Sequence, residues 1–281
     1  MTIPQSINEN STVITDYPVF DIHFHADARS RGGGELPKLI SWMKQHNISR
    51  CIVPQYELSM PRSTNEELIL LDNFKSFKDQ LFRLDVILTT EHIDREHATD
   101  AVYRMKESGA IGFGEHYGRG LYFDDPISMN LYHACETVGL PLLYHMDREN
   151  NMDDENLSHL ENALSSFPNC QFIAHGPKTW KLMTVLDTLL SKYPNLHADI
   201  SAGSGAKGLS RDLEYSRDFI TRHCSQVLFG TDGGHWSYEK PAPPQFQLMN
   251  QFCLPKELVH KICWKNACSL FGISDTLLNR G

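Results

Sequence analysis

Six side chains that can bind a divalent cation stand at the ends of apolar runs in this 281-residue sequence. They are His23 and His25 in "FDIHFHAD", Glu115 in "GFGEHYG", His145 in "LLYHMD", His175 in "FIAHGPK" and Asp232 in "LFGTDGG". Neutral imidazoles and carboxylates are typical ligands of zinc, and a set without thiolates also suits manganese or iron. The pattern therefore predicts a divalent metal site, with zinc as the first expectation, assembled from segments that are distant in the sequence.

The His-x-His pair is the most informative of these motifs. Two residues apart on a strand, His23 and His25 point to the same side, and Asp21 lies one step earlier on that face. A pair of hydrogen-bonded core histidines is the alternative for this motif taken alone. Because other histidines end later apolar runs, we interpret both residues as metal ligands.

The two carboxylates point to a cation for different reasons. Asp232 follows the apolar run "VLFGT", where a buried charge without a partner would be costly and a cation would offset that cost. A loop aspartate or a helix N-cap is the alternative. Glu115 ends "AIGFG" and could bridge two metal positions, or it could instead accept a hydrogen bond from a histidine ligand and orient that ring.

These residues need a scaffold that brings strand ends together. Short apolar, β-branched runs near 19–25, 51–55, 81–88, 110–115, 140–145, 170–175, 196–201 and 226–232 alternate with amphipathic segments, and Gly109 and Gly139 stand where helices should end. Eight βα units predict an α/β fold of the (β/α)8 TIM-barrel type, whose active site lies at the C-terminal strand ends. We expect a single domain over 1–281, with about 1–17 as an N-terminal extension. An open doubly wound sheet is the alternative, but the first strand lacks a GxGxxG turn.

The composition limits the kinds of binding partner and the cellular compartment that we expect. The 26 basic and 35 acidic residues leave a net charge of −9, which argues against nucleic acid as a partner. The sequence shows neither a signal peptide nor an apolar stretch long enough for a membrane. Its 7 cysteines are odd in number and form no CxxC pair, which favours free thiols in the cytoplasm. We expect a small-molecule substrate and leave a homo-oligomer open.

Several polar side chains follow the predicted strands and could contact that substrate. Arg29, Arg119 and Lys178 follow strands one, four and six, where they could bind a carboxylate or phosphate group; solvated loop charges are the alternative. His235 also lies near the predicted mouth, and Tyr117 and Trp236 could form walls of the pocket.

The motifs "DIHFHAD", "YHMD", "AHGPK", "FGTDGG" and "KICWKNACSLFG" together resemble the amidohydrolase superfamily, in its amidohydrolase-related branch, from Asp21 to Phe271. The resemblance implies that the His-x-His pair, the fifth- and sixth-strand histidines and the eighth-strand aspartate are metal ligands, and that Asp232 also exchanges protons with the attacking water. Many members carry a lysine at the end of strand four. Glu115 stands there instead, an arrangement that looks more like the TatD type.

The expected activity is a metal-dependent hydrolysis. One or two ions would activate water for attack on an amide, ester or lactone bond of a small molecule. Asp232 would take the proton, and His175, if it is not a ligand, could hydrogen-bond the oxygen that gains charge. The alternatives are the decarboxylase or hydratase chemistry of the amidohydrolase-related branch, a TatD-like phosphoesterase or nuclease, and a metal-binding barrel without catalytic activity.

Overall fold

The computed structural model describes residues 18–28, 34–54, 64–87 and 93–276. Eight strands pair in parallel and in chain order. They are β1 (Val19–Asp21), β2 (Ile48–Pro54), β3 (Leu81–Asp85), β4 (Gly112–His116), β5 (Leu142–His145), β6 (Phe172–His175), β7 (Leu196–Asp199) and β8 (Val227–Leu228). Each of the eight predicted apolar runs overlaps one of these strands. The fold is therefore a TIM-like α/β barrel; the predicted extension at 1–17 lies outside the described residues.

Helices lie between the strands. They are α1 (Leu36–Gln45), α2 (Thr64–Lys75), α3 (Arg95–Glu107), α4 (Pro126–Val138), α5 (Ser158–Ser166), α6 (Pro177–Lys181), α7 (Met183–Lys192), α8 (Ala202–Ser210), α9 (Leu213–Arg222), α10 (Pro244–Gln251), α11 (Lys256–His260) and α12 (Asn266–Leu270). Local sequence explains α4 well: the Asp125 side chain caps its start, Pro126 occupies its first turn, and Gly139 ends it in the left-handed conformation at φ 73°. Among the described residues, no helix is both long enough and apolar enough to span a membrane.

Backbone hydrogen bonds join the segments that follow the first and last strands. The Ile22 N–H donates to the Phe229 carbonyl at 3.0 Å, and the Asp232 N–H donates to the His23 carbonyl at 2.7 Å. The His25 N–H in turn donates to the Gly233 carbonyl at 2.8 Å. The two ends of the eight-stranded sheet are thus held side by side, so residues more than two hundred positions apart become neighbours.

The far end of the barrel is filled by the C-terminal helical segment. Trp264 and Phe271 pack in one apolar cluster with Phe20 and Leu84 from the strands. Arg50 on β2 stacks over the Trp264 ring at 4.7 Å and donates to the Ser274 and Thr276 carbonyls. Since this end is packed shut, the C-terminal strand ends are the side on which a site can open.

Candidate metal centre

A buried aspartate fixes the backbone on which the site is built. The Asp21 carboxylate accepts the His23 N–H at 3.1 Å, the Thr231 N–H at 3.0 Å and the Thr231 hydroxyl at 2.6 Å. Burial raises the pKa of Asp21 to about 7, against the lowering effect of these hydrogen bonds. Asp21 thus ties the end of β1 to the end of β8, which places His23 beside Asp232.

The first group of donor atoms comes from the His-x-His pair and Asp232. His23 Nε2 and His25 Nε2 lie 3.1 Å apart, and Asp232 Oδ1 lies 3.6 Å from the first and 3.1 Å from the second. Both histidines lie beyond β1 rather than within it, but they face the same side, as the sequence predicted. All three donors could reach one cation.

A second group forms around Glu115, which the sequence left open between ligand and orienting residue. Glu115 Oε2 lies 3.3 Å from His23 Nε2 and 3.4 Å from His25 Nε2, while Oε1 lies 3.6 Å from His175 Nε2. His23, Glu115 and His175 are all buried and form a group that could hold an ion. Because His23 is common to the two groups and Glu115 contacts both histidines of the first, the groups form one cluster.

His145 joins this cluster through Glu115. Its Nδ1 lies 2.8 Å from Glu115 Oε1, its Nε2 lies 3.3 Å from Asp147 Oδ2, and its ring stacks on Tyr117 at 4.8 Å between centroids. The structure therefore gathers all six predicted ligand side chains at the strand ends, with His145 at the edge. A role for Tyr117 as a wall of the substrate pocket stays a prediction.

The donor spacings fit the size of a metal ion. Two ligands bound tetrahedrally to zinc at about 2.1 Å lie about 3.4 Å from each other. The separations of 3.1 to 3.6 Å between the Nε2 atoms and carboxylate oxygens match that distance. The nitrogen and oxygen donors present thus fit a divalent ion in position and in type.

The electrostatics of the cluster favour positive charge. Burial alone lowers the pKa of His23, but the Asp232 and Glu115 carboxylates raise it well above its ordinary value. Burial alone raises the pKa of Glu115 and of Asp232, but the charge of His23 and contacts with the other histidines hold both below their ordinary values. The carboxylates are therefore ionised, and the site attracts either protons or a cation.

Two functional candidates escaped the sequence analysis, Asp199 and Ser201. Asp199 Oδ2 lies 2.9 Å from His23 Nδ1 and 3.1 Å from His175 Nδ1, and it accepts the Ser201 hydroxyl at 2.6 Å. Burial opposes ionisation, but the two histidines lower the pKa of Asp199 below its ordinary value. Asp199 is the last residue of β7, as His145 and His175 are of β5 and β6, but the predicted run extends to 201, so the position of a polar residue at a run end does not single it out.

The four residues predicted to contact substrate differ in their exposure and in their contacts. Arg29 lies outside the described residues. Arg119 is exposed on the segment after β4, and His235 is exposed with its ring edge-on to Trp236 at 4.9 Å. Lys178 Nζ donates to the Asp153 carbonyl at 2.7 Å and lies 3.3 Å from a Glu155 carboxylate oxygen. Lys178 thus already stabilises the segment after β5, and a substrate role for these residues stays a prediction.

Comparisons with known proteins point to one family. The family model described as Amidohydrolase matches residues 83–273, a range that contains Glu115, His145, His175 and Asp232. A search of curated proteins finds no match.

Solved structures show the same fold at low sequence identity. A 5-carboxyvanillate decarboxylase from Novosphingobium aromaticivorans with bound manganese is 14% identical with a TM-score of 0.63, covering 92% of this chain and 98% of that chain. A β-aspartyl dipeptidase from Fervidobacterium islandicum is 12% identical with a TM-score of 0.59, covering 93% and 76%. A uronate isomerase from Bacillus halodurans is 11% identical with a TM-score of 0.60, covering 85% and 69%.

Proposed function

The chain belongs to the amidohydrolase family, and from that premise we propose that it is a metal-dependent hydrolase acting on an amide, ester or lactone bond of a small molecule. The proposed scaffold is a single closed (β/α)8 domain. Zinc is the first candidate ion, with manganese and iron as alternatives. The metal would be held by His23, His25, Glu115, His175 and Asp232. His145 would complete this ligand set by its contact with Glu115.

The observation that carries this proposal is the clustering of these donors, of which Asp232 is the most exposed to solvent. The Asp232 side chain is 24% exposed, whereas those of His23 and Glu115 are 0% and 3% exposed. A general base must reach the water from which it takes a proton. Asp232 is therefore the member of the cluster best placed to accept that proton, and the buried members are suited to holding the ion.

When bound, the ion would lower the pKa of the attacking water and polarise the substrate oxygen. Asp232 would accept the proton of that water on its carboxylate, which is ionised because the histidines lower its pKa. His175 Nδ1 faces Asp199, and an ionised carboxylate can only accept hydrogen bonds. The neutral ring then carries its hydrogen on Nδ1 and has a lone pair on Nε2, which favours His175 as a ligand over a hydrogen-bond donor to substrate.

A metal-dependent decarboxylase is the second candidate, because one similar structure is a manganese-bound decarboxylase. The two reactions differ in their products. Hydrolysis of an amide, ester or lactone consumes water and releases an acid, whereas decarboxylation releases CO2. A panel of carboxylated aromatic compounds and small amides, esters and lactones, monitored for acid and for CO2, separates them.

The test begins with metal content per chain after purification without chelator. We expect one or two divalent ions in the wild type, and loss of metal and turnover in both His23→Ala and Asp232→Asn with an unchanged circular dichroism spectrum. Asp187→Asn is the matched control, because Asp187 also accepts from a histidine ring, His223 Nε2 at 2.6 Å, but between α7 and the end of α9. Full metal occupancy in both site variants would refute the assignment.

A further inference from the structure

Asp199 stands behind the cluster rather than in it. It is in neither of the two donor groups, yet its Oδ2 contacts the Nδ1 atoms of both His23 and His175. Its other oxygen, Oδ1, accepts the Ser201 N–H at 2.9 Å. Asp199 and Ser201 are both fully buried, so the carboxylate is held at a fixed position between two rings.

The contacts determine which nitrogen of each ring faces the donor cluster. A carboxylate oxygen only accepts, so each neutral ring must place its hydrogen on Nδ1 to bond it. The lone pair of each ring then lies on Nε2, the atom that approaches Glu115 and Asp232. Carboxylates that contact the outer nitrogen of a histidine ligand fix its tautomer and raise its basicity in known metal sites. Here a single oxygen does this for two rings.

Ser201 completes the arrangement. Its hydroxyl donates to Asp199 Oδ2 at 2.6 Å, and its oxygen lies 3.0 Å from His175 Nδ1 and 3.3 Å from His23 Nδ1. Asp199 Oδ2 thus has three donors around it, the two Nδ1 atoms and the Ser201 hydroxyl. Because the Ser201 oxygen can also accept the Nδ1 hydrogens, it helps Asp199 to fix the orientation of both rings.

We propose that Asp199, supported by Ser201, is a positioning residue that sets the metal-binding tautomer of His23 and His175 together, so that one carboxylate oxygen controls both donor groups. This inference rests on the proposed metal-dependent function. It follows that removing the Asp199 charge weakens metal binding at both groups, whereas removing His175 weakens only the group that contains His175.

The central variant is Asp199→Asn, which keeps the shape and removes the charge. If its amide nitrogen faces the rings, the hydrogens are forced onto Nε2 and point at the metal position. If its amide oxygen faces them, the contacts survive without charge. We expect zinc affinity to fall by about 10–100-fold at each group, as for other carboxylates behind histidine ligands. His175→Gln should keep one zinc per chain at wild-type affinity.

The measurement is competition for Zn²⁺ alone against a chromophoric chelator on the full chain, with Asp187→Asn as the control that should match the wild type. Nitrogen-15 NMR of the metal-free protein, at a pH high enough for both rings to be neutral, gives a second readout: hydrogen on Nδ1 of His23 and His175 in the wild type, and a changed tautomer population in Asp199→Asn. A purely structural role for Asp199 would leave that population unchanged.

The outcomes separate this inference from the proposed function. A wild type that binds neither zinc nor manganese nor iron refutes the proposed function. A wild type that binds zinc, with Asp199→Asn equal to it within twofold, refutes the role of Asp199 alone. If Asp199→Asn does not fold, Ser201→Ala decides: we expect several-fold weaker zinc binding and a changed tautomer signal, and wild-type values for both would overturn the proposal.

Discussion

Replacing Gly230 with alanine should disturb the metal centre although Gly230 has no donor atom. Gly230 lies two residues after β8, directly against the Asp199 carboxylate. A Cβ atom at this position would lie 2.5 Å from Asp199 Oδ1 and 3.0 Å from the Ser201 Cβ. Ordinary contact distances are about 3.5 Å or more, so the carboxylate would have to move by about 1 Å.

That displacement sets two magnitudes. Overpacking of this kind in a buried region costs about 1–3 kcal/mol of the free energy of unfolding. A shift of about 1 Å would also displace Asp199 Oδ2 relative to His23 Nδ1, now 2.9 Å away, and hydrogen-bond distances vary by only a few tenths of an ångström. We therefore expect Gly230→Ala to lower zinc affinity by about 10–100-fold, as loss of a carboxylate behind a histidine ligand does.

The assay is urea denaturation with chelator present, followed by zinc competition on the folded protein. Gly203→Ala is the matched control, because nothing lies within 4 Å of a Cβ at Gly203 on α8, and alanine in a helix stabilises by up to about 1 kcal/mol. Zinc affinity and stability in Gly230→Ala equal to those of Gly203→Ala would show that Asp199 does not depend on this close approach.

Two further predictions concern the scaffold. Burial lowers the pKa of His197 from 6.5 to about 4, against a smaller raising effect of the Gln226 carbonyl. Between pH 6.5 and pH 4 the unfolded chain binds a proton on His197 that the folded chain does not. The free energy of unfolding should therefore fall on acidification through this window, by about 2 kcal/mol at pH 5. In urea titrations at several pH values His197→Gln should remove this dependence, and a pH dependence equal to that of the wild type would contradict the prediction. Arg50→Met should lower the free energy of unfolding by about 1–3 kcal/mol, because it removes charged hydrogen bonds to the Ser274 and Thr276 carbonyls. A urea unfolding midpoint equal to that of the wild type would show that Arg50 does not hold the C-terminal segment.

The barrel strands were predictable from the sequence because their signal is periodic. Every strand from β1 to β8 lies within or overlaps an apolar run, and helix ends such as Gly139 follow from backbone chemistry. The candidate ligand positions followed from one further rule, that polar residues ending such runs meet at one edge. This rule misses Asp199, because the predicted run at 196–201 extends past it, whereas β7 ends at this residue.

Other features depend on tertiary contacts that leave no periodic trace. Lys178 follows strand six, where a residue that contacts substrate is expected, but its ammonium group donates a hydrogen bond to the Asp153 carbonyl. This contact depends on the path of the segment after β5, which the sequence near Lys178 does not reveal. Which ring nitrogen of His23 faces Glu115 likewise depends on Asp199, 176 residues away. Sequence position tells which side chain can be a ligand, but only the fold tells which atom is presented.

The burial of the cluster itself argues that it evolved around a cation. Glu115 and Asp199 are almost completely buried, and Asp232 is largely so. Buried carboxylates are costly unless positive charge compensates them, and the residues around them are histidines, whose charge comes only from protons that they can lose. A set of fixed arginine or lysine charges would neutralise these carboxylates permanently. Histidines neutralise them reversibly, so that when the protons leave, the same nitrogen atoms are free to bind a metal ion.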